Sequence, residues 1–324
     1  MGHHPNPHAL LSPAMRGVLE RLHRVERVPM QAMTPQQARA AYAAAANVLE
    51  PAVQKIQRVQ DISLPMRDGS PIAARVYADV PGVLPVLVYF HGGGFVVGGL
   101  DTHDGLCRRL AHLSGCAVVS VDYRLAPEHR FPTAFEDAWD SVQAIGQLGS
   151  QWALDGQRMA VGGDSAGGTL AAACAIAARD AGVPLALQLL LYPGLMGHQN
   201  SASHHQFAKG FLLDADLVTY FFEQYIRSPA DRNDWRFAPL DGVTDDGLEA
   251  DLSGVAPVWM GLAECDPLVD EGIAYADKLR MAGVPVELEI YRGVVHEFMK
   301  MGRAIATAQQ AHQEAAKALR QALG

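Results

Sequence analysis

Ser165 stands at the centre of Gly163-Asp164-Ser165-Ala166-Gly167, a G-x-S-x-G pentad. The pentad follows a short apolar run, MAVGG (Met159–Gly163), and precedes an Ala-rich helical pattern, Ala166–Ala181. A serine on a sharp strand-to-helix turn is presented in a strained backbone, and small neighbours leave room for the bend. The helix start beyond it offers free N–H groups and the positive end of a dipole. Such an arrangement serves nucleophilic attack. The plainer alternative, a serine that only caps the helix, needs no partners elsewhere in the chain, so partners decide between the two.

One partner is His91-Gly92-Gly93-Gly94, after the apolar run VLVYF (Val86–Phe90). Three glycines after a buried strand let backbone N–H groups turn toward a developing oxyanion, as loops of this kind do in lipases and esterases. A phosphate loop is the rival, but there is no Gly-Lys-Ser/Thr ending and no G-x-G-x-x-G. His91 itself reads as a structural anchor. A serine nucleophile also needs a base, and the base an orienting carboxylate, in the chain order Ser, acid, His for this kind of elbow. Asp266 follows the run PVWMGLAEC and His296 follows the last strand pattern. Glu264, Asp270 and Glu271 compete for the acid, the last two reading as first-turn acids of the next helix. His198, His204 and His205 compete for the base but precede the acid, and are expected to be exposed.

The elements that must position these groups alternate along the chain. VLVYF, AVVSV (Ala117–Val121), MAVGG, LALQLLLY (Leu185–Tyr192) and PVWMGL (Pro257–Leu262) are continuous apolar runs. Helical patterns at Thr102–Leu113, Pro132–Leu148, Ala166–Ala181 and Val269–Ala282 separate most of them. Strands buried on both faces and interleaved with helices predict a mostly parallel sheet covered on both sides. IQRVQDISL, a turn at Asp68-Gly69 and IAARVY predict a leading hairpin. VELEIY (Val286–Tyr291) alternates as an edge strand would, and an Ala/Gln-rich helix ends the chain. The first fifty or so residues read as helices, with Thr34-Pro35 as a cap and first turn. The stretch from Gly194 to about Gly254 has no buried-strand run, only a helical DADLVTYFFEQYI and an Asp-rich loop. It is expected to be an insertion over the strand ends.

At 324 residues the chain is long enough for one large α/β domain and a small accessory part. Its formal net charge of -9 offers no cationic field, which argues against a nucleic-acid partner. Cys107, Cys116, Cys174 and Cys265 show no metal-ligand or C-x-x-C spacing. His3, His4 and His8, set among prolines, read as a solvated tail rather than a metal site. No metal or cofactor is expected. Neither a leader pattern nor a membrane-length apolar run is visible, so the cytoplasm and no membrane partner are the expectation. The exposed edge of VELEIY predicts a homodimer.

Four blocks together resemble the GDSAG branch of the hormone-sensitive-lipase family of bacterial esterases. They are His91–Gly94 with Phe95; DYRLAPEH (Asp122–His129) with Phe131-Pro132; Gly163–Gly168; and Asp266-Pro267-Leu268-Val269-Asp270-Glu271. With His296 they span roughly residues 85 to 300. The resemblance implies an α/β-hydrolase fold with a helical cap and a carboxylesterase with Ser165 as nucleophile, Asp266 as acid and His296 as base. It implies oxyanion donors at the N–H groups of Gly93, Gly94 and Ala166, and a structural role for DYRLAPEH. The expected layout is a core of residues 56–193 and 255–324, capped by 1–55 and 194–254. Phe95, Leu100, Met196, Phe207, Phe211 and Leu213 are the candidates for the wall of a pocket that takes short- to medium-chain acyl esters. Two departures stand out: Glu297, where many members have a small residue, and Gly194–His198, which matches no family pattern. An amidase or deacetylase with the same triad is the alternative. The plant gibberellin receptors, non-catalytic relatives, lack the histidine that is present here as His296.

Overall fold

Each continuous apolar run is a strand of one sheet. The computed structural model describes residues 6–25 and 28–324. Its eight strands are β1 (Arg58–Pro65), β2 (Pro71–Ala78), β3 (Leu84–Phe90), β4 (Ala117–Val121), β5 (Leu154–Asp164), β6 (Leu187–Leu191), β7 (Val258–Cys265) and β8 (Val286–Val295), ordered β1-β2-β4-β3-β5-β6-β7-β8. β1 and β2 form the hairpin about Asp68-Gly69, and β2 runs antiparallel to β4. From β4 to β8 every pairing is parallel. All five residues of β4 and of β6 are buried, so both faces of the sheet are covered. β8 lies at the edge, and its first five residues are half-buried or exposed.

The covering helices are α1 (Pro13–His23), α2 (Pro35–Ala46), α3 (Asp104–Ser114), α4 (Thr133–Leu148), α5 (Ala166–Ala181), α6 (Ala202–Gln206), α7 (Ala215–Tyr225), α8 (Val269–Met281) and α9 (Ala306–Leu323). α3 packs with α9 and α4 with α5, each pair also against strands. α2 starts as its sequence directs: the Thr34 side chain accepts from the Gln37 N–H, Gln37 reaches back, and Pro35 fills the first turn. All four cysteines are free and buried.

Residues 194–254, between β6 and β7, hold α6, α7 and a 3-10 turn at Pro229–Asn233. The DYRLAPEH block ties these outer parts to the core. Arg124 forks onto Asp137 and reaches Asp68, and the Tyr123 hydroxyl donates to the His91 carbonyl at 2.7 Å. Arg39 of α2 pairs with Glu128 and donates to the carbonyls of Val96 and Ala126. The Phe131 N–H donates to the Tyr225 carbonyl at the end of α7, and Phe95 stacks on the Tyr225 ring at 3.9 Å. His3 and His4 lie outside the described residues. The tail reading fails at His8: its ring is exposed but stacks on Phe211 at 4.6 Å, so this stretch is docked on the insertion.

Candidate active site

β5 ends at Asp164 and α5 begins at Ala166, which leaves Ser165 alone at the bend with φ 53° and ψ −122°. A non-glycine residue there is strained, and the surroundings must hold it. The Ser165 N–H donates to the Leu191 carbonyl at 2.9 Å. The flanking glycines are needed for space: a Cβ on Gly163 would lie 2.3 Å from the Gly167 carbonyl oxygen, and one on Gly167 within 2.0 Å of the Phe90 oxygen, at 1.9 Å.

β7 and β8 deliver the other two groups at the same end of the sheet. His296 Nε2 lies 2.9 Å from Ser165 Oγ, and His296 Nδ1 lies 2.6 Å from Asp266 Oδ2. The second oxygen of Asp266 accepts the Leu268 N–H at 2.9 Å. Both residues are buried. Burial alone would lower the basicity of His296, but the Asp266 charge and hydrogen bond outweigh it and raise the imidazole above its ordinary value. The competing acids are engaged elsewhere. Glu264 accepts the Gly293 N–H, Asp270 the Ser203 N–H, and Glu271 the N–H groups of Leu195 and Met196.

Gly93 and Gly94 turn with φ 119° and 59°. Their N–H groups and that of Ala166 have no hydrogen-bond partner among the described residues. Beneath them Asp164 accepts the Gly92 N–H at 3.0 Å and the Tyr89 hydroxyl at 2.7 Å, with His103 Nε2 at 3.2 Å. Full burial would push this carboxyl up, yet the facing His103 and these hydrogen bonds hold it below the usual range. A buried carboxylate thus clamps the glycine loop to the elbow. His91 stacks on Tyr123 at 4.3 Å, and burial pushes it down to about 3, so it is neutral and packed, as an anchor rather than a base.

The profile of the alpha/beta hydrolase fold family matches residues 87–300. The ethyl acetate hydrolase of Pseudomonas putida is 40% identical over 303 residues, covering 91% of this chain and 93% of that protein. The carboxylesterase NlhH of Mycobacterium tuberculosis is 41% identical over 241 residues, 74% of each chain. A thermostable esterase from Pseudomonas putida superposes with a TM-score of 0.91 at 33% identity, covering 97% of this chain and 98% of that one. The chain belongs to the hormone-sensitive-lipase family of α/β-hydrolases. Its activity is that of a carboxylesterase.

In this hydrolase a cavity of about 50 Å³ opens beside Ser165, Gly94 and Ala166. Phe95, Met196 and Leu213 are on its wall, but Leu100, Phe207 and Phe211 are not. Leu100 is half-buried in a 3-10 turn. Phe207 and Phe211 pack edge to face at 5.0 Å inside the insertion. Val218, Phe221 and Phe222 of α7 take their place. Their i, i+3, i+4 spacing was a readable signal for one helix face. His198 and His205 are exposed, but His204 corrects the expectation: it is buried, lines the cavity and faces Glu271. Glu271 is likewise no surface acid; it is buried and lines the same wall. The unfamiliar stretch Gly194–His198 supplies Gly194 and Met196 to that wall. Glu297 accepts the Tyr42 hydroxyl of α2 at 2.6 Å, which ties the residue beside His296 to the N-terminal helices. Among the described residues no cluster of three metal-ligating side chains occurs, and no helix is long and apolar enough to cross a membrane.

Proposed function

We propose that the chain hydrolyses short- to medium-chain acyl esters through an acyl-enzyme on Ser165. The observation that carries this is the unbroken line from Ser165 Oγ to His296 Nε2 at 2.9 Å and from His296 Nδ1 to Asp266 Oδ2 at 2.6 Å. His296 takes the serine proton as Oγ attacks the ester carbonyl. The N–H groups of Gly93, Gly94 and Ala166 receive the oxyanion. The tetrahedral species collapses, its C–O bond breaks, and His296 returns the proton to the departing alcohol. Water, deprotonated by the same imidazole, then attacks the acyl-enzyme, and collapse releases the acid and restores the serine. Asp266 keeps the imidazole in the tautomer with Nδ1 protonated and stabilises the imidazolium.

Three further observations support the finer reading. The cavity has room for roughly four water-sized groups, which suits a short acyl chain. A relative is named for hydrolysis of ethyl acetate. Residues 194–254 supply cavity wall through α7, and α2 is pinned to the core through Arg39 and Tyr42, which suits a cap built from both. The exposed edge of β8 supports pairing with a second copy.

Ser165→Ala tests the reading. Hydrolysis of p-nitrophenyl butyrate should fall by several powers of ten, leaving what binding and the oxyanion donors supply. Covalent labelling by a fluorophosphonate should vanish while the melting temperature holds. A variant that kept about a tenth or more of the rate, a barrier change of only ~1.4 kcal/mol, would show that another group is the nucleophile.

A further inference from the structure

Apart from Ser165 and Thr169, whose hydroxyl donates to the Gly194 carbonyl, the cavity wall is polar at one place. Glu271 of α8 and His204 of α6 are 2% and 7% exposed, and both line the cavity. Glu271 Oε2 takes the N–H groups of both Leu195 and Met196, each at 2.6 Å. Its other oxygen, Oε1, has no hydrogen-bond partner among the described residues and lies 3.6 Å from His204 Nε2, longer than a hydrogen bond. The second ring nitrogen of His204 is already engaged, 2.7 Å from Ser201 Oγ. One carboxyl oxygen and one imidazole nitrogen are therefore left over, side by side, in an apolar wall beside the nucleophile. Both atoms are reachable from the cavity, so a ligand lying there can complete the pair.

We propose that Glu271 and His204 form a recognition point for a hydroxyl group on the acyl chain, so that short hydroxyacyl esters are preferred over their methyl isosteres. This rests on the esterase reading above. A hydroxyl oxygen about 2.8 Å from each atom bridges the 3.6 Å gap. A hydroxyl also matches the chemistry, because it accepts one hydrogen bond and donates another. Burial pushes the Glu271 carboxyl up to about 8 and pulls His204 below its ordinary value, so the two are a neutral pair near pH 7 rather than an ion pair. The protonated Oε1 then donates to the ligand hydroxyl, which donates in turn to the imidazole. A cationic chain would find no carboxylate there. The acyl side is the one tested, because p-nitrophenyl esters vary the acyl chain against a constant leaving group.

The test compares p-nitrophenyl 3-hydroxybutyrate with 3-methylbutyrate, and lactate with isobutyrate, as pairs that differ by hydroxyl against methyl. The wild-type protein should favour the hydroxylated member of at least one pair by about tenfold in kcat/KM, the worth of one or two neutral hydrogen bonds. His204→Phe should bring that ratio to one or below. Glu271→Gln should keep it, because the amide oxygen can take both N–H groups while its NH2 donates to the hydroxyl. A wild-type ratio at or below one for both pairs overturns the proposal without any variant, as does a folded His204→Phe protein that keeps the preference. Absence of Ser165-dependent turnover of all four esters would instead overturn the esterase reading itself.

Discussion

Gly94→Ala probes whether the glycine loop and the insertion are built around each other. An added Cβ would lie 2.2 Å from Cγ and 2.3 Å from one Cδ of Phe221, where carbon atoms ordinarily rest about 3.5–4.0 Å apart. Something must therefore retreat by more than 1 Å, roughly the difference between those spacings. The backbone φ of 59° adds a second penalty, on the order of 1–2 kcal/mol for a residue with a Cβ. Overpacking a fitted core costs about 1–3 kcal/mol more, so a destabilisation of roughly 2–5 kcal/mol is expected. Any relief taken by the loop carries the Gly94 N–H away from the oxyanion position. Loss of one such donor lowers kcat by about 10²–10³.

The assay is kcat and KM on p-nitrophenyl butyrate together with thermal melting. The loss should appear mainly in kcat, because the donor acts on the transition state. Adding Phe221→Ala removes the ring but leaves the φ penalty, and should restore at least about tenfold of the rate, read as a coupling between adjacent positions. A Gly94→Ala protein within about threefold of wild type, under 1 kcal/mol of barrier, would refute both the contact and the donor role.

His296 must be neutral to accept the serine proton, and its basicity is raised above the ordinary 6.5. Activity should therefore be lost as pH falls, with the half-point of kcat/KM above pH 6.5; a profile flat from pH 6 to 8 would count against a histidine base. Along p-nitrophenyl esters from acetate to palmitate, kcat/KM should gain about 0.8 kcal/mol of barrier per methylene while wall remains, then reverse near about hexanoate as roughly four groups fill the cavity. A maximum at dodecanoate or beyond would show that the cavity is not closed. Light scattering at micromolar concentration should give a dimer mass, and a charge placed on the exposed edge by Ile290→Lys should shift it toward monomer. A wild-type monomer would remove the edge-pairing idea.

The strands and helices were legible in the sequence because their signal is local. VLVYF and AVVSV are unbroken apolar runs since helices cover both faces of the sheet they enter, and VELEIY alternates since at its start only the Val286 and Leu288 face of β8 is packed. The order of Ser165, Asp266 and His296 was legible for a related reason. Each follows a strand, and parallel pairing from β4 to β8 brings the ends of β5, β7 and β8 to one edge. That placement follows from topology, so no side-chain detail is needed to foresee it.

The pocket wall was not legible, because contacts between distant segments decide it. Phe207 and Phe211 are as apolar as Phe221 and Phe222, yet the former pair fills the insertion and the latter faces Ser165. Composition does not carry the direction in which a short insertion folds back. Glu271 looks like an ordinary first-turn acid until the backbone of Leu195 and Met196, 76 and 75 residues earlier in the chain, closes over it. His204 looks exposed until the Ser203 N–H donates to Asp270 and seats α6 against α8. The sequence by itself determined the scaffold and the order in which Ser165, Asp266 and His296 follow its strands, both consequences of local periodicity and parallel topology. Tertiary packing alone decided which polar side chains were buried against the cavity beside Ser165, because burial depends on every segment that arrives around a residue.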